Sequence, residues 1–290
     1  MPVDTSNLDR VILTHGCSKV VIYYFGASLT SWIYKDIERI FVSKKAIYDG
    51  PKAIRGGIPL VFPQFGPAAL PGHAALPQHG FARVSKWEWL GIDTENSTEL
   101  SVSFALKPND IPDAQREIWN YDFKLIYTVT LNANTLKTKM TVINPGPVPF
   151  PFTNLLHTYI RVQDVQKVGV LGLTGTHLVD GINGNKRSQE PRHAVLIAGE
   201  VDRVYENVTS NLITIDNVNN KNSGNGIVIQ KNNFKDVVVW NPWIENAKKM
   251  ADFDDPEYLE MICVEVGNVA SPVSLNPGCL WEGDQVLVAL

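Results

Sequence analysis

Hydrophobic residues alternate with polar or small ones through much of this chain, and this period of two limits its fold more than any other feature. In residues 100–106, LSVSFAL, every second residue is large and hydrophobic. In residues 136–143, LKTKMTVI, the two lysines share one parity while Leu136 and Met140 share the other. Such alternation is typical of half-buried β-strands, because successive side chains of a strand point to opposite faces of the sheet.

Other segments support an interpretation based on strands. Residues 124–131 and 226–231 are rich in β-branched and aromatic residues, which predicts two more strands. Short clusters of Asn, Pro and Gly lie at residues 144–147, 183–185 and 276–278, and such clusters are typical of turns. Many strands joined by turns predict an all-β chain that forms one large antiparallel sandwich or barrel.

Helical signals are few. Residues 113–119 predict a few helical turns, and no long amphipathic helix, repeat or linker stands out. We therefore expect a single domain over residues 1–290 with only a few short helices.

Charge and composition exclude several classes of partner. The formal net charge is −4, which does not favour nucleic acid or an anionic membrane surface. No apolar run approaches the roughly 18 residues that a membrane-spanning helix needs, and the first residues lack the form of a signal peptide. We expect a cytoplasmic protein, and a monomer.

Cys17, Cys263 and Cys279 form no CxxC pair and indicate neither a disulfide framework nor a metal site.

One carboxylate falls inside a segment that otherwise predicts a buried strand. Glu265 lies in MICVEV, residues 261–266, on the same face as Met261 and Cys263. An unpaired carboxylate there costs several kcal/mol, so Glu265 must have a partner or line a pocket. Burial raises the pKa of a carboxyl group, which suits a general base. A structural pair with a buried arginine or with backbone N–H groups explains Glu265 equally well.

A histidine occupies a similar position. His157 lies in PFTNLLHTYIRV, residues 151–162, which predicts one continuous strand. By parity, His157 shares a face with Tyr159 and Arg161. A single histidine in a strand is more often structural than catalytic, and its interest here is its combination with a second histidine and a glutamate on strands.

Two segments place hydrogen-bond donors beside glycines. Arg55 precedes a Gly-Gly pair in RGGIPLVFPQFG, while Gln78, His79 and Arg83 surround the glycine of LPQHGFAR. Glycine permits a positive φ or a close approach of the backbone to a ligand. The planar guanidinium group suits phosphate oxygens, so the two arginines could clamp an anion. Each arginine could equally be a solvated surface charge, and His79 could simply be packed in a turn.

Two tryptophans flank a turn in VVVWNPWIENA, residues 237–247. An exposed aromatic platform commonly holds the C–H face of a sugar, but Trp240 and Trp243 are also consistent with core positions.

Together these segments resemble those of the D-hexose-6-phosphate mutarotases, or glucose-6-phosphate 1-epimerases, a branch of the galactose mutarotase (aldose 1-epimerase) superfamily. The resemblance rests on RGGIPLVFPQFG, LPQHGFAR, HTYIRV, VVVWNPW with the nearby MADF, and MICVEVG, which occur in this order. It implies a large antiparallel β-sandwich of the galactose mutarotase type. It also implies that the protein interconverts the α and β anomers of a hexose 6-phosphate without a metal or an organic cofactor.

The resemblance further implies a role for each candidate residue. His157 would be the general acid that protonates the ring oxygen, and Glu265 would be the base that removes the proton of the C1 hydroxyl. His79 would bind the sugar and assist near the ring oxygen. The other implied substrate contacts are Arg55 and Arg83 at the phosphate, Gln78 beside them, and Asp202, in VDRVYENV, at the sugar hydroxyls.

Three other functions were considered from the residues. Glycoside hydrolysis usually requires two carboxylates that flank the bond, and no second one is placed comparably to Glu265. A metal-dependent sugar isomerase could use His79, His157 and Glu265 as ligands, although no close H-x-H spacing supports it. A noncatalytic carbohydrate-binding module would need the aromatic platform but no acid–base pair.

Overall fold

The computed structural model describes residues 2–67, 75–217 and 226–290. The strands among them, in chain order, are β1 Val3–Asp4, β2 Arg10–His15, β3 Ser18–Tyr23, β4 Leu29–Tyr34, β5 Ile37–Glu38, β6 Leu60–Val61, β7 Glu88–Glu95, β8 Leu100–Leu106, β9 Lys124–Leu131, β10 Thr135–Ile143, β11 Phe150–Leu156, β12 Tyr159–Arg161, β13 Val168–Leu171, β14 His177–Asp180, β15 Lys186–Gln189, β16 Ala194–Leu196, β17 Val201–Glu206, β18 Leu212–Asn217, β19 Ile227–Asn232, β20 Asp236–Asn241, β21 Met261–Leu275 and β22 Leu280–Ala289. The prediction of an all-β fold is confirmed.

Helices are short in the described part of the chain. The α-helices are α1 Asp113–Ile118 and α2 Trp243–Lys249, and the 3₁₀ turns are Ala82–Val84, Pro108–Asp110, Val165–Lys167 and Asp255–Glu260. The first helix agrees with the prediction, whereas α2 is not predicted, because its sequence indicates only a turn between two tryptophans. None of the helices in the described ranges has the length and apolar character required to cross a membrane.

The strands form three antiparallel sheets. Strands β1 to β5 form the first in chain order, and nine strands form the second in the order β16-β13-β18-β19-β22-β10-β9-β8-β7. The third has the order β15-β14-β17-β20-β21-β11-β6, with β12 also paired to β21. Among the described residues, every pairing between named strands is antiparallel.

The main hydrophobic core lies between the nine-stranded and the eight-stranded sheets. Val264 and Val266 of β21 belong to the same buried cluster as Met140 of β10. The rings of Phe152 on β11 and Trp281 on β22 meet with centroids 5.8 Å apart. Because these residues occupy one face of the eight-stranded sheet, the side chains of opposite parity lie on its other face.

Strand β8 differs from its prediction in one respect. All of its residues are buried, so it is not half-buried. The serines at alternate positions of β8 are buried by side chains of the neighbouring strands. Ser103 Oγ donates to Asp93 at 2.6 Å, and Ser101 Oγ lies 3.0 Å from Thr130 Oγ1. Small hydroxyl side chains that satisfy one another across strands need no water. In contrast, β9, β10 and β19 and the three turn clusters occur as predicted.

The predicted strand over residues 151–162 is interrupted. Strand β11 ends at Leu156 and β12 begins two residues after His157. At the break, the N–H of Thr158 donates locally to the carbonyl of Leu156 at 2.9 Å, and the N–H of His157 donates to the carbonyl of Pro59 at 3.0 Å. At His157, these hydrogen bonds therefore replace the regular hydrogen bonds between strands. The periodicity of the local sequence does not reveal this change.

Candidate active site

One row of side chains crosses the outer face of the eight-stranded sheet. The antiparallel register places Asp202 of β17 opposite Trp240 of β20, and Trp240 opposite Cys263 of β21. On the other side of β21, Cys263 pairs with Tyr159 of β12. Directly opposed residues in a sheet point to the same face, so these four side chains are neighbours.

A second row lies two residues further along the same strands. It contains Val204, Val238 and Glu265, which the register places side by side. His157 continues this row at the break between β11 and β12. The imidazole of His157 stacks on the Tyr159 ring with centroids 4.7 Å apart, and its Nδ1 lies 3.4 Å from Oε1 of Glu265.

A tight turn brings further donors to this face. His79 and Gly80 both have positive φ angles, of 65° and 71°. The His79 backbone N–H donates to the carbonyl of Gly66 at 3.0 Å, and the Gly66 N–H donates to Nδ1 of the His79 ring at 3.1 Å. The guanidinium of Arg83 donates to the backbone carbonyl of Gln78 at 2.9 Å. These contacts fix the orientation of both side chains.

The protonation state of His79 follows from its surroundings. Burial, together with the positive charges of Arg83 and Arg55, lowers the pKa of His79 to about 3. The ring is therefore neutral near pH 7. Because Nδ1 accepts the hydrogen bond from Gly66, the single ring proton is on Nε2, and His79 can offer a ligand one N–H donor.

Replacing Gly80 by Ala should destabilise this turn strongly. A Cβ atom at Gly80 would lie 2.1 Å from the carbonyl oxygen of Phe62, in addition to the strain of its φ of 71°. The left-handed conformation alone costs roughly 1–2 kcal/mol. Gly16→Ala is the matched control, since Gly16 has a φ of 57° but no heavy atom within 4 Å of the added Cβ. Urea unfolding should give a much lower midpoint for Gly80→Ala, and equal midpoints would contradict this explanation.

All seven site residues predicted from the sequence line one cleft of about 500 Å³. They are Arg55, Gln78, His79, Arg83, His157, Asp202 and Glu265. A volume of this size is within the range of small-molecule sites. The structure thus brings together residues that are far apart in the chain, from Arg55 to Glu265.

The electrostatics of the His157–Glu265 pair favour the neutral form of both groups. Burial, aided by the charge of Asp202, raises the pKa of Glu265 well above its usual range, and Arg83 only partly offsets this. Burial, aided by His79 and the nearby arginines, lowers the pKa of His157 well below its usual range. Their 3.4 Å contact has the geometry of an ion pair, but burying two charges is costly, so both pKa shifts favour the neutral pair with the proton on the carboxyl group.

A positively charged region lies beside this pair. Arg55 Nε is 3.2 Å from Oδ1 of Asp252, which is 7% exposed. Burial opposes the charge of Arg55, but Tyr159 and Asp252 outweigh it and raise the pKa of Arg55. Burial, with a contribution from Arg55, lowers the pKa of Arg83 to about 10, so Arg83 is also charged near pH 7. Among the described residues, Asp252 is the one carboxylate in ion-pair contact with either of these two cations, so their side of the cleft suits an anion.

The two tryptophans have different positions. Trp240 lines the cleft, and its ring meets the edge of the His157 ring at 6.1 Å. Trp243 instead packs on Tyr258, with ring centroids 5.1 Å apart. The interpretation of a shared aromatic platform therefore applies to Trp240 alone.

Sequence reasoning missed two contributors to the cleft. Tyr159 stacks on His157, and Asp252 pairs with Arg55. The sequence offered only weak signals for them: Tyr159 shares the parity of His157, and Asp252 lies in the MADF segment.

One group of donors could hold a metal ion. Among the described residues, His157, Cys263 and Glu265 offer ligand atoms that all lie within 4.8 Å of one another. This set differs from the one considered from the sequence, because Cys263 takes the place of His79.

Comparisons with known proteins agree with this architecture. The profile of the aldose 1-epimerase family matches residues 9–287. A Cenchrus ciliaris protein, provisionally named a glucose-6-phosphate 1-epimerase, is 36% identical over 98% of this chain and 86% of its own length. An Escherichia coli protein with the same provisional name is 30% identical over 89% of this chain and 82% of its own.

A solved structure shows the same fold. The crystal structure of a Salmonella typhimurium protein, provisionally described as a mutarotase, superposes with a TM-score of 0.86 at 26% identity, and the match covers 99% of this chain and 94% of that one. The galactose mutarotase-like fold implied by the sequence resemblance is thereby confirmed. Since the family profile spans almost the entire chain, this protein belongs to the aldose 1-epimerase family.

Proposed function

We propose that this protein is a glucose-6-phosphate 1-epimerase, which interconverts the α and β anomers of hexose 6-phosphates. The observation that carries the proposal is the presence of a buried acid–base pair and two charged arginines in one cleft. The provisional names of the relatives support the same substrate class. The monomeric state and the cytoplasmic location stay predictions from the sequence.

The chemistry requires two coordinated proton transfers. Mutarotation opens a hemiacetal, so one group must accept the proton of the C1 hydroxyl and another must protonate the ring oxygen. In the proposed mechanism Glu265 is the base and His157 is the acid. Ring opening gives an aldehyde, rotation about the C1–C2 bond presents its other face, and closure reverses both transfers.

The proton count of the pair fits this role. Burial raises the pKa of Glu265 and lowers that of His157, which favours a pair that holds one proton on the Glu265 carboxyl group. The reactive form, a Glu265 carboxylate with a His157 imidazolium, contains the same number of protons. The site therefore needs only to move a proton between two groups 3.4 Å apart, with no exchange with solvent.

The remaining residues would position the substrate. Arg55 and Arg83 would bind the phosphate, with Gln78 beside them. His79 would donate from Nε2 near the ring oxygen, and Asp202 would accept hydrogen bonds from sugar hydroxyls.

Magnetisation-exchange NMR on glucose 6-phosphate provides the direct test, because it detects anomer exchange without any net reaction. The protein should raise the exchange rate above the spontaneous rate. If exchange stays at the spontaneous rate for every hexose 6-phosphate tested, the enzyme proposal fails. The protein would then be better explained as a carbohydrate-binding module.

A hydrolase is a weaker explanation, although the structure adds a carboxyl group that bears on it. Asp202 lines the same cleft as Glu265, contrary to the expectation that no second carboxylate is comparably placed. The two residues lie on β17 and β21, which are separated by β20. The membership in an epimerase family favours anomer exchange over hydrolysis.

We expect His157 to remain neutral at a pH where an ordinary histidine is half protonated, about 6.5. The pKa of His157 is lowered, so its imidazole gains a proton only as the pH falls well below that value. NMR of the imidazole, assigned by comparison with His157→Asn, measures this in a buffer free of phosphate and sulfate, which would bind the arginines. Because the protonation of His157 and that of Glu265 are coupled, the pKa measured in this experiment is a property of the pair and not of His157 alone. Protonation at or above pH 6.5 would contradict the proposed resting state.

Dialysis against a strong chelator should leave the rate of anomer exchange undiminished, because the proposed acid and base are side chains. The comparison is the exchange rate before and after dialysis. A loss of activity that a divalent ion restores would support the metal-dependent alternative.

A further inference from the structure

A buried thiol that the proposed mechanism does not use lies next to the cleft residues His157 and Glu265, although it does not itself line the cleft. Cys263 lies on β21, two residues before Glu265 and on the same face of the sheet. It is fully buried, and in its row it lies between Trp240 and Tyr159. Its sulfur belongs to the group of donors, with His157 and Glu265, whose ligand atoms lie within 4.8 Å of one another.

Two atoms of this group make no hydrogen bond with the described residues, although one of them, Nδ1 of His157, lies 3.4 Å from Oε1 of Glu265. Among the described buried side chains, Nδ1 of His157 and Oε2 of Glu265 make no hydrogen bond. His157 is 9% exposed and Glu265 is 1% exposed, so neither atom is readily hydrated. Buried polar atoms without hydrogen bonds are uncommon, and a bound ion is one of the explanations for them.

The donor set suits a thiophilic divalent ion. Zinc in proteins takes cysteine sulfur, histidine nitrogen and carboxylate oxygen, with bonds of about 2.0–2.3 Å. The donors of a tetrahedral site are therefore roughly 3.3–3.6 Å apart. The contact between His157 Nδ1 and Glu265 Oε1 is already 3.4 Å, and the sulfur needs to approach by only about 1 Å.

We propose that Zn²⁺ binds to His157, Cys263 and Glu265 when the cleft contains no sugar, and that it inhibits the protein. Binding releases the thiol proton of Cys263 and the carboxyl proton of Glu265 to solvent, and the metal occupies the lone pairs of both. A fourth position stays open towards the cleft. The nearby guanidinium groups of Arg55 and Arg83 oppose a cation, so binding is reversible and weaker than in a structural zinc site.

The inhibitory part rests on the proposed function, because the metal would occupy the proposed base and acid. The binding part does not, and it can be measured without any activity. Glucose 6-phosphate and Zn²⁺ should compete, since both need His157 and Glu265.

The test uses Co²⁺ as a spectroscopic probe in the Cys17→Ser/Cys279→Ser variant. The chain has three cysteines, all unpaired, and Cys17 and Cys279 are exposed, so this variant retains only the buried thiol. A thiolate-to-cobalt charge-transfer band should develop on titration and decrease when glucose 6-phosphate is added. The band should be absent after a further Cys263→Ser change. Absence of the band in the double variant would overturn the proposal even if Cys263→Ser failed to fold.

Inhibition is measured as the anomer exchange rate with and without Zn²⁺, each variant being compared with its own metal-free rate. Zn²⁺ should inhibit the parent and the Cys17→Ser/Cys279→Ser variant equally. In Cys263→Ser the inhibition constant should rise by more than about 10-fold, since even an outer-shell change typically weakens metal binding by that factor. Equal inhibition of Cys263→Ser and the parent would overturn the proposal. A protein that shows the band but no anomer exchange would refute the proposed function and leave the metal site standing.

Discussion

Replacing Glu265 by Gln is expected to slow anomer exchange of glucose 6-phosphate by about 10²–10⁴-fold, the usual contribution of a general base. The carboxyl is 1% exposed and its pKa is raised, which favours its neutral form, and an amide has nearly the same shape as a neutral carboxyl group. The variant should therefore fold normally. His157→Asn should have a similar effect on the rate, because the imidazole is the only titratable part of that side chain.

The two effects should not multiply, because an acid and a base that act on one ring opening work as a unit. The double variant should thus be little slower than either single variant. Glu257→Gln is a matched control: Glu257 is fully buried and accepts a hydrogen bond from the Lys44 backbone N–H at 3.1 Å, outside the cleft lining. Glu257→Gln should lower the free energy of unfolding but leave the anomer exchange rate of the folded protein unchanged. A folded Glu265→Gln variant with a nearly unchanged rate would show that this carboxyl is structural.

Replacing Arg83 by Ala is expected to weaken glucose 6-phosphate binding by roughly 10- to 150-fold. A hydrogen bond to a charged group contributes about 1.5–3 kcal/mol, and each 1.4 kcal/mol is about tenfold. KM should rise more than kcat falls, because the phosphate is remote from C1. Free glucose cannot use the contact, so its kcat/KM should barely change. Arg187→Ala is the matched control, since the Arg187 side chain is 73% exposed and pairs with Glu206.

Arg55→Ala should show the same substrate selectivity with an added loss of stability. Its removal leaves the nearly buried carboxylate of Asp252 without its 3.2 Å partner. Uncompensated buried charges are destabilising. Arg83, by contrast, donates to the backbone carbonyl of Gln78 and forms no ion pair with the described residues. Kinetics must therefore be measured at a temperature where Arg55→Ala is folded. If kcat/KM for glucose 6-phosphate and for glucose decline in parallel, the arginines support the fold or the sugar ring. If neither declines, they are not phosphate ligands.

Local sequence predicts several of the strands and the unusual position of one carboxylate. Alternation over residues 136–143 predicts β10 because a strand buries every second side chain, whichever strands flank it. Glu265 lies in the middle of an apolar run, so its burial also followed from local sequence. The resemblance of ordered segments added the list of site residues, and all seven line the cleft.

Tertiary structure decided the features that depend on residues distant in sequence. The break at His157 requires the carbonyl of Pro59 as an alternative acceptor, and the burial of Ser101 requires Thr130 across the sheet. The contact of Arg55 with Asp252 joins segments almost two hundred residues apart. Hydrophobic periodicity describes one strand at a time, whereas strand order and register place Cys263 beside His157. Only the assembled sheet therefore shows which polar side chains share the cleft and which of their atoms lack a partner.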